Sequence, residues 1–75
     1  MRIQIKAMGM LKERTPPGGV LELEGSPTIA DMLDQLEIDA EAIQAVTING
    51  AIERDQSRRL VDGDDIVILP PVGGG

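Results

Sequence analysis

The main-chain carboxylate at the end of this sequence is the group best placed to do chemistry. The last residues are Gly73-Gly74-Gly75, and they follow directly on Pro70-Pro71-Val72. Because glycine has no Cβ, a glycine tail can enter a channel too narrow for other residues, and the two prolines favour an extended approach. We therefore expect residues 70–75 to form an extended, flexible tail. The alternative is a frayed terminus without a role, since termini often lack order.

Two further groups of side chains are weaker candidates for a site. Asp62, Asp64 and Asp65 supply three carboxylates, but their spacing lacks the remaining ligand positions of a calcium loop. A solvated turn is therefore the simpler interpretation, and we expect no metal site. The pair Arg58-Arg59 is expected to be exposed and not to bind phosphate.

Composition excludes several functions. The 75 residues carry a net charge of −6 and include no His, Cys, Tyr, Phe or Trp. Without the first three, few groups remain for acid–base or nucleophilic catalysis, so we expect no intrinsic catalytic residues. The negative net charge and the lack of aromatic side chains for base stacking disfavour binding of nucleic acid. The negative charge also disfavours binding to anionic membranes and favours a partner with a basic docking face. No segment resembles a signal peptide or a membrane span, and we expect a cytoplasmic protein.

Two alternating segments begin the chain and are predicted to pair as a hairpin. Apolar and polar residues alternate over residues 2–7 and again over 20–24, which is the period of a strand with one buried face. Glycine and proline are frequent in residues 8–19 between them, and this indicates a long connection.

One amphipathic helix is predicted after the hairpin. Thr28 is placed to be its N-cap, with Asp31 in the first turn, and Ser26 before Pro27 is an alternative start. The apolar stripe predicts a helix of about ten residues. A short helical turn is expected near residues 39–43. The buried stripe has the spacing i, i+3, i+4, i+7 and consists of Ile29, Met32, Leu33 and Leu36.

The remaining segments complete a mixed sheet. Residues 46–48 and 51–53 flank Asn49-Gly50, a strong hairpin signal, and residues 66–69 are apolar on both faces, as in a central strand. With the last strand parallel to the first, the order β-β-α-β-β-β predicts the α+β class. The expected fold is a β-grasp (ubiquitin-like) roll, with a mixed sheet of four to five strands and one main helix packed on one face. The domain should cover residues 1–69.

A set of residues spread over the whole chain forms a familiar pattern. Residues 63–72 read GDDIVILPPV and lead to Gly74-Gly75, while Asn49-Gly50 and Leu60 precede them. Together these residues resemble the MoaD/ThiS family of ubiquitin-like sulfur carriers. Residues 8–13 are similar to the loop after the first strand in molybdopterin synthase small subunits.

Three departures from that pattern concern the pathway and not the fold. The last strand has Ile68 and Leu69 where small subunits commonly have aromatic residues. Gly73 occupies a position often held by another small residue. The segment between the helix and the third strand is short, as in carriers of the thiamine pathway.

The resemblance implies a carrier protein and not an enzyme. In that family a ubiquitin-activating-type adenylyltransferase uses ATP to adenylate the terminal carboxylate, and a sulfur donor then displaces AMP to leave a thiocarboxylate. By resemblance, Gly75 is the adenylation and thiocarboxylate site, and Gly74 and Gly73 thread the partner's active site. ATP belongs to the activating enzyme, and the carrier itself is expected to bind no cofactor. The implied acceptor is the large subunit of molybdopterin synthase or another sulfur-acceptor enzyme.

The leading interpretation is the small subunit of molybdopterin synthase, in molybdenum cofactor biosynthesis. Other carrier pathways are thiamine thiazole synthesis, tRNA thiolation and cysteine synthesis. A ubiquitin-like protein modifier and a plain ubiquitin-like binding module are alternatives from other classes.

Strand alternation turns Val67 and Leu69 away from the helix, and we expect them to form a partner-docking surface with Pro70, Pro71 and Val72. The alternative is ordinary scattered apolar exposure.

Overall fold

The structure is a computed structural model, and it describes residues 1–71. Within that range one sheet has the strand order β2-β1-β5-β3-β4. β5 is parallel to β1 and antiparallel to β3, so the predicted central strand and mixed sheet are confirmed. The elements are β1 Arg2–Ala7, β2 Val20–Glu22, α1 Ile29–Gln35, β3 Ala45–Ile48, β4 Ala51–Glu53 and β5 Asp65–Leu69.

One face of the sheet and the helix enclose the core. In β1 exposed and buried residues alternate along the whole strand, and in β5 Ile66 and Ile68 are fully buried. The helix contributes Ile29, Met32 and Leu33 to the same apolar cluster. The helix α1 therefore covers one sheet face.

The helix begins where the sequence predicts and ends earlier. Thr28 caps it in a reciprocal box: its hydroxyl accepts from the N–H of Asp31, and the Asp31 carboxylate accepts from the N–H of Thr28. The helix has seven residues, so the predicted length of about ten is wrong. It ends because Glu37 has a φ of 59° and the N–H of Ile38 donates to the carbonyl of Leu33, which is a Schellman stop.

The connections also differ in detail from the sequence pattern. The long connection after β1 contains two 3₁₀ helices, Gly9–Arg14 and Pro17–Gly19, and the predicted short turn after α1 is the 3₁₀ helix Ala40–Ala42. β2 ends at Glu22 instead of residue 24, although Leu23 still exchanges backbone hydrogen bonds with Met1. No helix among residues 1–71 is long and apolar enough to cross a bilayer.

Candidate docking face and tail exit

β5 leads the chain from the centre of the sheet to the predicted tail. Its last residues are held from both sides, since the N–H of Met8 donates to Ile68 O at 3.0 Å and that of Gln44 donates to Leu69 O at 2.7 Å. Pro70 is half-buried and Pro71 is exposed. Val72, Gly73, Gly74 and Gly75, which include the predicted thiocarboxylate site, lie outside the described residues.

The sheet face opposite the helix carries a row of mixed polar and apolar side chains that includes Val67 of β5. Val67 is paired in register with Lys6 of β1 and Thr47 of β3, and Thr47 is paired with Ile52 of β4. Paired residues share a sheet face, so these four side chains form one row across the sheet. Leu69 lies on the same face, two residues along β5. We call this surface, formed by Lys6, Thr47, Ile52, Val67 and Leu69, the open face.

The open face contains residues that the sequence reasoning identified and one that it missed. Val67 and Leu69 are partly exposed while Ile66 and Ile68 are buried, which confirms that Val67 and Leu69 point away from the helix. Ile52, 60 % exposed, adds an apolar side chain to this face on the edge strand β4. The signal for Ile52 was present in the two-residue turn Asn49-Gly50, because that hairpin fixes the pairing of residue 52 with residue 47.

The 3₁₀ helix after β1 lies beside the tail exit. A Cβ placed on Gly9 would lie 3.0 Å from Cγ of Pro70, so the two residues are in close approach. Met8 and Met10 flank this glycine and are both exposed, Met10 by 78 %. Methionine is flexible and polarisable, and it suits adaptable contacts. Sequence reasoning noted residues 8–13 as a loop similar to that of small subunits but did not place them beside residue 70, because that closeness depends on the parallel pairing of β1 with β5.

The acidic turn before β5 is structural. Asp64 is only 7 % exposed, so the expectation of a solvated turn is wrong for this residue. Its carboxylate accepts from Asn49 Nδ2 at 3.0 Å and from the N–H of Val61 at 2.8 Å. Asp62 accepts from the N–H of Arg2 at 2.7 Å. Among residues 1–71 no group of three or more acidic side chains is arranged to hold a metal ion.

The arginine pair lies on the surface, as predicted. Arg58 forms a 3.5 Å ion pair with Glu53, and the Arg59 guanidinium donates to the carbonyl of Ser26. Nearby, the hydroxyl and the N–H of Ser57 donate to Asp55 and hold the pKa of that exposed carboxyl below its ordinary value of 3.8. Each of these charged groups therefore already has a partner within the chain.

Comparisons with known proteins agree with this fold. The model of the ThiS family matches residues 5–75. No sequence among the curated proteins matches the chain.

Solved structures give the same fold. SAMP1 from Haloferax volcanii has a TM-score of 0.72 at 21 % identity, with 100 % of both chains covered. Another structure, of H. volcanii small archaeal modifier protein 1, has a TM-score of 0.70 at 20 % identity over 95 % of this chain and 98 % of that one. A chain in the complex of subunits 1 and 2 of molybdopterin-converting factor from Helicobacter pylori 26695 has a TM-score of 0.64 at 22 % identity over 100 % of both. The β-grasp prediction is confirmed.

Proposed function

The chain belongs to the ThiS family, and we propose that it is a sulfur carrier whose Gly75 is adenylated and converted to a thiocarboxylate. ThiS-type proteins are small ubiquitin-like carriers and not enzymes, which confirms that part of the sequence interpretation. The observation that carries the proposal is that the family match extends to residue 75 and so includes the terminal glycines.

The proposed chemistry uses only the main-chain acid of this chain. An oxygen of the Gly75 carboxylate attacks the α-phosphorus of ATP held by a ubiquitin-activating-type adenylyltransferase, and pyrophosphate leaves. A hydrosulfide equivalent from the sulfur donor then attacks the carbonyl carbon, the bond to AMP breaks, and the thiocarboxylate remains. Gly74 and Gly73 thread the partner's active site, where a Cβ would obstruct a channel shaped for bare backbone.

The open face is the surface proposed to dock these partners. Val67 and Leu69 present partly exposed apolar side chains beside the point where the chain leaves the sheet. Pro70 and Pro71 follow directly on this face, and Val72, the next residue in the sequence, is proposed to take part in the same docking. A partner that binds this face therefore also binds the chain near Pro70, where the tail begins. The reactive carboxylate of Gly75 lies only a few residues further along the sequence.

The pathway proposed first is molybdopterin synthesis, with this chain as the small subunit of molybdopterin synthase. Its support is the similarity, over the full length of both chains, to a chain in the complex of the two subunits of molybdopterin-converting factor. The partner in this case is a large sulfur-acceptor subunit. Thiazole synthesis for thiamine and tRNA thiolation are the carrier alternatives.

A protein modifier is the second candidate, and one observation favours it. The two Haloferax structures with higher TM-scores are of a small archaeal modifier protein. In a modifier the same adenylate would be attacked by a lysine amine of a target protein, with loss of AMP and formation of an isopeptide bond. The two candidates share the activation step and differ in the nucleophile that follows it.

The testing experiment combines the purified chain with the adenylyltransferase of its source organism, ATP and sodium hydrosulfide. Intact-mass spectrometry should show the replacement of one oxygen by one sulfur. The matched variant Gly74→Ala should fold normally and lose the product, since the added methyl obstructs the channel. An unmodified wild-type chain would contradict the proposal, and an unimpaired Gly74→Ala product would contradict the threading role.

A second measurement separates carrier from modifier. A tagged chain expressed in its source organism should form no covalent ladder on a denaturing gel if it is only a carrier. A ladder that disappears when Gly75 is deleted would identify a modifier. Copurification of a large subunit that accepts sulfur from the thiocarboxylate would support the molybdopterin pathway.

A further inference from the structure

The close approach of Gly9 and Pro70 links the first connection of the chain to the base of the tail. A Cβ on Gly9 would lie 3.0 Å from Pro70 Cγ and 3.9 Å from Pro70 Cβ. Carbon atoms pack best at about 3.5–4.0 Å, so any side chain at residue 9 would press on the proline ring. Gly9 also has a φ of +56°, a conformation that suits glycine.

The residues on both sides of Gly9 are held by hydrogen bonds and by core packing. Met8, its neighbour, donates its N–H to Ile68 O in continuation of the β1–β5 ladder. On the other side, Leu11 is buried in the core, and the Thr15 hydroxyl accepts from the N–H of Ala7 at 3.0 Å. The 3₁₀ helix Gly9–Arg14 is thus fixed at both ends, and we call it the buttress.

On the other side of this close approach, Pro70 marks the point where the chain leaves β5. Pro70 is the first residue after β5 and is only half-buried. Its φ is locked by the ring, as is that of Pro71, so a displacement of Pro70 is passed on as a change in the direction of the following chain. The buttress therefore restricts the position of Pro70, the residue at which the chain leaves the sheet.

We propose that Gly9 is a positioning residue that sets the direction in which the tail leaves the domain, through its contact with Pro70. This inference rests on the proposed function, because the direction matters only if the tail must enter a partner's active site. Misplacement of reacting groups by about 1 Å can cost on the order of a hundredfold in rate. A shift of a few tenths of an ångström at Pro70 would also turn Pro71, whose φ is fixed by its ring, and so change the point from which the residues beyond start.

The test measures adenylation kinetics by ATP–pyrophosphate exchange with the adenylyltransferase of the source organism, at varied carrier concentration. Gly9→Ala should lower kcat/KM at least about tenfold. Gly9→Asn carries the same Cβ but tolerates positive φ, and it should give a similar loss with less effect on Tm. The matched controls are Gly18→Ala and Gly25→Ala, because these glycines have φ values of +71° and +73° with nothing within 4 Å of a Cβ. Both controls should retain wild-type kcat/KM.

A rescue experiment isolates the contact itself. Pro70→Ala removes the Cγ atom that the new side chain would meet, so Gly9→Ala should cost much less in the Pro70→Ala background than in the wild type. Equal losses in both backgrounds, or a Gly9→Ala variant as active as the Gly18→Ala control, would overturn the inference.

A partner-free measurement separates failure of this inference from failure of the proposed function. In NMR spectra Gly9→Asn should shift the Leu69 amide and the Pro70 and Pro71 carbon signals, whereas Gly25→Ala should not. If the wild-type chain is not adenylated but these shifts appear, the contact stands and the carrier proposal fails. If the wild-type chain is adenylated and the shifts are absent, the positioning role of Gly9 is wrong.

Discussion

The two ends of β5 are built from opposite kinds of residue. At the start of the strand, the amide of Asn49 donates to Asp64 and accepts from the N–H of Asp65, so the two turns at residues 49–50 and 62–65 are clasped together by polar groups. At its end, Leu69 and Pro70 are partly exposed and apolar. At the start of β5 the Asp64 carboxylate is thus bound within the chain, whereas at its end apolar side chains are partly exposed to solvent.

A functional site is usually sought among clustered charged side chains, but in this protein such a cluster has a structural role. Three closely spaced carboxylates attract attention as ligands or acids, yet the buried one, Asp64, is satisfied by its own chain. The glycine tail follows the other end, where β5 and the next residue contribute the apolar side chains of Leu69 and Pro70. For a carrier that contributes only its main-chain terminus, the side chains near the site are needed for docking and direction and not for chemistry.

The largest effect on stability is expected when the hydrogen bonds of Asp64 at the start of β5 are removed. Asp64→Ala leaves Asn49 Nδ2 and the N–H of Val61 without their acceptor, and the loss of these charge-assisted bonds should cost about 2–3 kcal/mol. For a domain of this size, this corresponds to a fall in Tm of roughly 10–20 °C. Thermal unfolding followed by circular dichroism measures it. The folded fraction should still be adenylated normally.

The neighbouring positions provide matched comparisons. Asp65→Ala removes an exposed carboxylate of the same turn and should leave Tm nearly unchanged. Asn49→Gly removes the amide while tolerating the φ of 52° at that residue, and it should lower Tm by less than Asp64→Ala does. An Asp64→Ala protein as stable as Asp65→Ala would mean that the clasp contributes nothing.

A smaller but functional effect is expected at the apolar end. Leu69→Asp places a charge in the proposed docking surface, where contact with a partner would strip it of water. Affinity for the adenylyltransferase, measured by calorimetry, should fall at least about tenfold. Val61→Asp is the matched control, since Val61 is an apolar residue, 61 % exposed, at the opposite end of β5. Equal affinity of the two variants would count against docking at Leu69.

The sequence predicted those features that depend on neighbours in the chain. The central strand, the Asn49-Gly50 hairpin and the Thr28 cap follow from local patterns, and all are present. The early helix stop was not predictable in this way, because Glu37 takes the left-handed position where glycine is the usual signal. The burial of Asp64 and the approach of Gly9 to Pro70 also escaped prediction, since each joins segments far apart in sequence.

The smallest effect on Tm is expected at Asp55, whose carboxylate accepts hydrogen bonds as Asp64 does but is exposed to solvent. Asp55 accepts from the hydroxyl and N–H of Ser57, as Asp64 accepts from Asn49 and Val61, but it lies in solvent. The lowered pKa of Asp55 means that its contribution to stability is present above the unfolded pKa and is lost as pH falls through the folded value. Ser57→Ala should raise this pKa toward 3.8 in an NMR titration, with no measurable change in Tm at neutral pH. A large loss of Tm would show that burial is not what distinguishes the clasp at Asp64 from an ordinary surface contact.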